Sequence, residues 1–244
     1  QGRIIRDLGK KHGTLFHQDG HRAGSIEMAD RMFGLCGPDA FFSHCTDLTD
    51  ADIETLVRTG TSVVHNSSAI AQVRGHCPVP RLLEAGVTVM IASDGTAPDR
   101  GTDMFRHMVM CARVHQRAAR DERLMPPGKL LEMITIDAAR GIGRAADLGS
   151  LEVGKKADII TVDLATPHAF PPNMPVHRVV WFAQASDVHD VVVDGRVLMH
   201  KREVPHLDLV DILVAAARET SAMLERTGLR HLTQVDPGWG RVRL

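Results

Sequence analysis

Several side chains with metal-binding or acid–base chemistry stand at the ends of short apolar runs. Gly13-Thr-Leu-Phe runs into His17, Ala40-Phe-Phe-Ser into His44, Thr61-Ser-Val-Val into His65-Asn66, and Val87-Thr-Val-Met-Ile-Ala-Ser into Asp94-Gly95. Imidazole and carboxylate bind zinc-type cations and move protons near neutral pH. A His, a His and an Asp at successive strand ends therefore outline one side of an active site. Each taken singly has a plainer reading as a hydrogen-bonded structural residue, and His65-Asn66 could simply cap its strand.

Helical segments separate these runs. Alternating strands and helices build a parallel sheet, and parallel barrels carry their chemistry at the C-terminal strand ends. Ser25 is placed to cap a helix through Met32, stopped by Gly34. Thr49, with Asp52 three residues on, resembles a capping box ahead of Ile53, Leu56 and Val57. Pro80–Gly86 is a short helix, and Thr102-Asp103 caps a long one to about Arg120. His107 and His115 on that long helix read as solvated or packed. After Pro126-Pro127-Gly128 come Lys129–Ile134 and Ile136–Arg140, closed by Gly141. Near residue 149 the character changes. Ala157–Asp163 and Val176–Ala183 read as strands, and Asp190–Val193 and Arg196–Met199 flank Asp194-Gly195, a two-residue hairpin signal. Leu207–Thr227 returns to helical periodicity, followed by a tail. The expected division is 1–148, 149–205 and 206–244.

Lys plus Arg (29) nearly cancels Asp plus Glu (30), which offers no electrostatic footprint for nucleic acid or an anionic membrane. Tyr is absent, which disfavours stacking on single strands. Cys36, Cys45, Cys77 and Cys111 form no C-x-x-C pair and read as reduced core thiols of a cytoplasmic protein. No apolar run reaches membrane-spanning length. The partner class is a small-molecule substrate. The chain opens on Gln1-Gly2-Arg3 in what reads as the tail of a helix, so further sequence is expected upstream.

Phe42-Ser-His44-Cys-Thr-Asp-Leu-Thr-Asp-Ala-Asp-Ile53, Gly60-Thr-Ser-Val-Val-His-Asn66, Pro78–Val89 into Ser93-Asp94-Gly95, Gly149–Asp163 and Val191-Val-Val-Asp-Gly-Arg196 together resemble the amidohydrolase superfamily. Within it, they resemble the branch of cytosine-deaminase-like enzymes, chlorohydrolases and adenosine-analogue deaminases. The resemblance covers most of residues 13–200. It implies an α/β fold, the (β/α)8 TIM-type barrel, here its C-terminal half (about strands 5–8), plus part of a small β-sandwich. It also implies one divalent metal ion, zinc first and iron second. By motif, His17 maps onto the strand-five metal ligand, His44 onto the strand-six catalytic His, and Asp94 onto the strand-eight Asp that binds metal and moves a proton. His65 and Asn66 would stand near the mouth, and Asp99 and Arg100 on the following loop would contact substrate. Asp99 and Arg100 also have a plainer reading as a surface ion pair.

Two departures accompany the match. No two of the 14 histidines are two apart, so the family's His-x-His ligand pair is absent. The related deaminases also carry a Glu three residues after the strand-five His, where this chain has Gly20 between Asp19 and His21. The leading expectation is a metal-dependent hydrolase that deaminates a cyclic amidine of pyrimidine, purine or triazine type. Cyclic amide hydrolysis and dechlorination are alternative chemistries. The rival is a catalytically incomplete fragment or a non-catalytic partner chain. A truncated barrel exposes sheet edges, so a homo-oligomer is expected. His17-Gln-Asp-Gly-His21 is a poor match to H-E-x-x-H, because Gln18 replaces the base and Gly20 opposes the helix.

Overall fold

The computed structural model describes residues 2–73, 75–95, 101–234, 238 and 240. Asp99, Arg100 and most of the tail beyond residue 234 lie outside the described residues. The chain comprises two compact units, residues 1–202 and 203–244.

The first unit runs α1 (Gly2–His12), β1 (Phe16–His21), α2 (Ser25–Phe33), β2 (Ala40–Thr46), α3 (Asp50–Thr59), β3 (Ser62–His65), α4 (Ser67–Val73), α5 (Val79–Glu84), β4 (Val89–Ile91), α6 (Met104–Ala119), α7 (Pro127–Ile134) and α8 (Ile136–Gly141). β1 to β4 form one sheet in sequence order, with every pair parallel. Phe16 pairs with Ala40, Phe42 with Val63, and Val63 with Val89. These residues share one face and join Ile26, Leu56, Leu82 and Met108 in the buried core. Side chains alternate along a strand, so His17, Asp19, Phe41, Ser43 and Ser62 belong to the opposite face.

The first strand begins at Phe16, not at residue 13. Gly13 takes the left-handed conformation (φ 63°), and the Thr14 amide donates back to the Gly9 carbonyl at 2.9 Å. Residues 13–15 are therefore the exit of α1, and His17 is the second residue of a strand that continues to His21.

The capping box at Thr49 and Asp52 forms, and it caps more than its own helix. The Asp52 carboxylate accepts from Thr49 N at 2.9 Å, and also from Gly24 N (2.7 Å), Ile26 N (2.9 Å) and Glu27 N (3.0 Å). Gly24, not Ser25, is the N-cap of α2, and the orphan amides of its first turn are satisfied by α3. Burial opposes the charge on Asp52, but these donors outweigh it and hold the carboxyl below the usual carboxylate range.

β5 (Ile159–Val162), β6 (Val188–Val193) and β7 (Arg196–Met199) form a separate antiparallel sheet in that order. Asp194 and Gly195 both have positive φ (49° and 77°), as a tight right-twisted hairpin requires. Between β5 and β6, the run expected as a strand over Val176–Ala183 is instead α9 (Pro175–Trp181). Pro175 presets the first helical φ, and Val176, Val179 and Val180 recur at helical spacing, with Val180 fully buried in the core. A run this short and rich in valine carries no period that separates strand from helix.

The second unit holds α10 (Leu209–Thr227), capped by Asp208, whose side chain accepts from Asp211 N at 3.0 Å, and closed by left-handed Gly228. No helix of the described residues is long and apolar enough to cross a membrane. All four cysteines are buried and unpaired. Burial pushes the Cys36 thiol up to about 11 and Cys111 up to about 12, so neither is a nucleophile at neutral pH.

Candidate active site

The site begins with an irregularity in β2. β1 and β2 stay in step from Phe16/Ala40 to Asp19/Ser43, after which His21 pairs with Thr46. Two steps on β1 thus oppose three on β2, which is a β-bulge. Within it His44 and Cys45 have φ of 69° and 49°. In an unbroken strand His44 would follow Ala40 and Phe42 onto the helix-packed face. The bulge instead turns it toward β1's opposite face and sends Cys45 fully into the core. A left-handed non-glycine residue costs about 1–3 kcal/mol, and such strain gathers at functional sites. Asp94, beyond β4, is also left-handed (φ 63°), and its Oδ1 accepts from Gly95 N at 2.6 Å.

These two strained residues meet. His44 Nε2 lies 3.9 Å from Asp94 Oδ2 and 3.7 Å from Asp19 Oδ1. The His21 ring stacks on His44 at 4.6 Å, and His21 Nε2 is 3.7 Å from Asp19 Oδ2. Donor atoms of Asp19, His21 and His44 all lie within 4.8 Å of one another. Asn66 Nδ2 is 3.3 Å from His44 Nδ1. Nδ1 thus lies against the Asn66 side chain, and Nε2 faces the two carboxylates.

The structure distributes the sequence-derived candidates unevenly. His44 and Asp94 come together. His17 shares the face of Asp19 and His21, but its Nε2 contacts Ser43 Oγ at 2.6 Å and its ring stacks on Phe41 at 4.7 Å. Asn66 is 3% exposed and reaches the site through His44, not at its mouth. His65 does not face the mouth. It follows Val63 onto the helix-packed side of β3, where it is fully buried beside His115 at a ring separation of 5.1 Å. Burial, reinforced by His115, holds its pKa well below the usual imidazole range, and burial likewise pushes His115 down to about 4. Asp99 and Arg100 lie outside the described residues.

Gly20 is the third residue after His17 and is buried. Its backbone faces the core, and a Cβ there would lie 2.8 Å from Ile26 Cδ1 and 3.2 Å from Cys45 Sγ. A side chain at residue 20 would enter the core rather than the site. The carboxylate and imidazole on the functional face come instead from Asp19 and His21. The period-2 alternation 17, 19, 21 could have identified them once the strand's true extent was known. The imidazoles of His21 and His44 with the carboxylate of Asp19, and Asp94 beside His44, form a donor set whose chemistry fits a zinc-type divalent ion.

Residues 3–198 match the amidohydrolase family. The chain is 38% identical over 181 residues to a 5-methylthioadenosine/S-adenosylhomocysteine deaminase of Syntrophobacter fumaroxidans, covering 74% of this chain and 41% of that one. It is 35% identical over 204 residues to a 5'-deoxyadenosine deaminase of Methanosarcina mazei, covering 83% and 46%. Among solved structures, an adenosine deaminase from Xanthomonas campestris with bound zinc superposes with a TM-score of 0.83 at 27% identity, over 92% of this chain and 54% of that one. An atrazine chlorohydrolase from Arthrobacter aurescens in complex with zinc shares the fold, with a TM-score of 0.77 at 21% identity over 89% and 51%. The chain spans about half the length of the proteins it matches. These likenesses place its parallel sheet in the TIM-barrel class, and the chain belongs to the amidohydrolase family.

Proposed function

We propose that this chain is the C-terminal part of a divalent-metal-dependent hydrolase that deaminates a purine-like cyclic amidine. The observation that carries the reading is the approach of His44 to Asp94, both on left-handed backbone, at 3.9 Å. The relatives named as adenosine-type deaminases direct the choice of a purine nucleoside over a pyrimidine or triazine.

His17 and Asp94 would hold the metal, with His21 and Asp19 as neighbouring donors. When bound, such an ion lowers the pKa of its water to about 7 and so supplies hydroxide at neutral pH. Asp94 takes the proton of the attacking water and returns it to the departing amine, which leaves as ammonia. His44 would donate from Nε2 to the developing negative charge, with Asn66 against its Nδ1 orienting the ring. Asp19, on the functional face of β1, would orient an amidine N–H. Asp99 and Arg100 remain assigned to substrate contact, Arg100 for an anionic group. His65 is left out, because it faces the helices.

In this reading residues 1–148 form the second half of the barrel, 149–205 a sandwich portion, and 206–244 a helix and tail. Among the described residues, β1 and β4 each pair on one edge only. That supports pairing with further strands or a second copy. The buried free thiols support a reducing, cytoplasmic setting.

The absence of a His-x-His pair favours a second reading, a chain that binds metal without turning over alone. Ammonia release from adenosine and 5'-deoxyadenosine in zinc-supplemented buffer separates the two. Release lost in His44→Asn and Asp94→Asn supports the first reading. Zinc bound through Asp94 without release supports the second, and neither zinc binding nor release rejects both.

A further inference from the structure

His65, Cys111 and His115 have no role in the chemistry above, yet they gather in the core. The alternation of β3 sends His65 toward α6, and Cys111 and His115 are four residues apart on that helix, hence on one face. Their donor atoms lie within 4.8 Å of one another, and all three residues are buried, at 0%, 0% and 1% exposure. None of the four ring nitrogens of His65 and His115 has a hydrogen-bond partner. Folded proteins leave few buried polar groups unsatisfied, and two adjacent imidazoles with no partner call for an acceptor of their lone pairs.

We propose that His65, Cys111 and His115 form a second metal site, for zinc, sharing no side chain with the Asp19–His21–His44–Asp94 group. Two imidazoles and a thiolate select a borderline-to-soft ion over magnesium or calcium. Zinc bonds of ~2.0–2.1 Å to nitrogen and ~2.3 Å to sulfur put tetrahedral donors about 3.3–3.6 Å apart, so binding draws the three side chains together by roughly 1 Å. Cys111 gives up its thiol proton to solvent as the sulfur–zinc bond forms, and each imidazole contributes a lone pair without changing charge. Entry is from a surface cleft lined by Asp47, His76 and His115 among others. His76, exposed and edge-on to His115 at 5.4 Å, supplies the fourth donor from that side.

Sulfur separates this site from the one at the strand ends, whose donors are nitrogen and oxygen only. The test is cobalt(II) added to chelator-stripped full chain. A thiolate-to-cobalt charge-transfer band in the near ultraviolet is expected at one equivalent for this site. Cys111→Ala should abolish the band, whereas Asp94→Asn and His44→Asn should leave it unchanged even where they end deamination. X-ray absorption of the zinc-loaded wild type, expected to show one sulfur scatterer on the zinc at this site, needs no variant and decides the matter should Cys111→Ala fail to fold. Folded wild type that takes up cobalt or zinc with no sulfur ligation, or takes up neither, overturns the site. So does a charge-transfer band that persists in folded Cys111→Ala.

Discussion

Gly20, three residues after His17, is buried with its backbone facing the core. Adding a Cβ there brings it 2.8 Å from Ile26 Cδ1, in a core where Ile26 is fully buried. Gly20→Ala should destabilise by about 1–2 kcal/mol, because inserting one methyl into a close-packed core typically costs 1–3 and the Ile26 terminus can yield. Gly20→Glu adds the rest of the side chain and a carboxyl group without a partner beside Cys45 and Phe42. Overpacking and polar burial together give about 3–5 kcal/mol. For a chain of this size that is a drop in Tm of roughly 10 °C. Ile26→Val removes the clashing Cδ1 atom, so Gly20→Ala should cost less in that background, with a coupling of about 1 kcal/mol. Thermal or urea unfolding of the four proteins of this cycle, with Gly20→Glu alongside, provides the measurement. If Gly20→Glu is as stable as the parent and raises deamination, residue 20 faces the site and not the core. If the alanine and valine changes simply add, the contact does not exist.

Other expectations follow from the same geometry. Asp52→Ala removes one half of the α3 capping box, the acceptor for Thr49 N, together with the shared acceptor of three amides at the start of α2, and should cost about 2–4 kcal/mol by chemical denaturation, against about 1 for an ordinary cap. Because the folded carboxyl titrates below its unfolded value, this contribution is complete above about pH 4 and falls away as pH drops through the folded value. A pH–stability profile of Asp52→Asn should lack that acid limb, and an unchanged limb would assign it elsewhere. His44→Asn and Asp94→Asn should lower any deamination rate by about 10²–10⁴ while leaving the unfolding free energy within about 1 kcal/mol of the parent; a matching loss of stability would point to a structural role. Asn66→Ala should act through His44, changing the pH profile of activity and sparing substrate affinity. A raised KM at unchanged kcat would put Asn66 in contact with substrate instead.

The sequence determined much of this molecule because its signals are local. The alternation of apolar runs and capped helices specified a parallel sheet. Thr49-x-x-Asp52 specified its box, Asp194-Gly195 its hairpin, and Asp103 its helix start, where the side chain accepts from Phe105 N at 2.9 Å. The positions of His44 and Asp94 at strand ends, and the motif order around them, were likewise legible. Which way those side chains point was not. A strand's period is two, so one extra residue in β2 exchanges the faces of everything beyond it, and no residue type in Phe42–Thr46 announces that bulge. The same parity sent His65 away from the mouth to Cys111 and His115, and it put Gly20 in the core while turning Asp19 and His21 outward. Val176–Val180 satisfied strand and helix alike until packing against α7 made the choice. The chemistry of the residues was written in the chain, but their sidedness was fixed by register, and register is a property of pairs of strands.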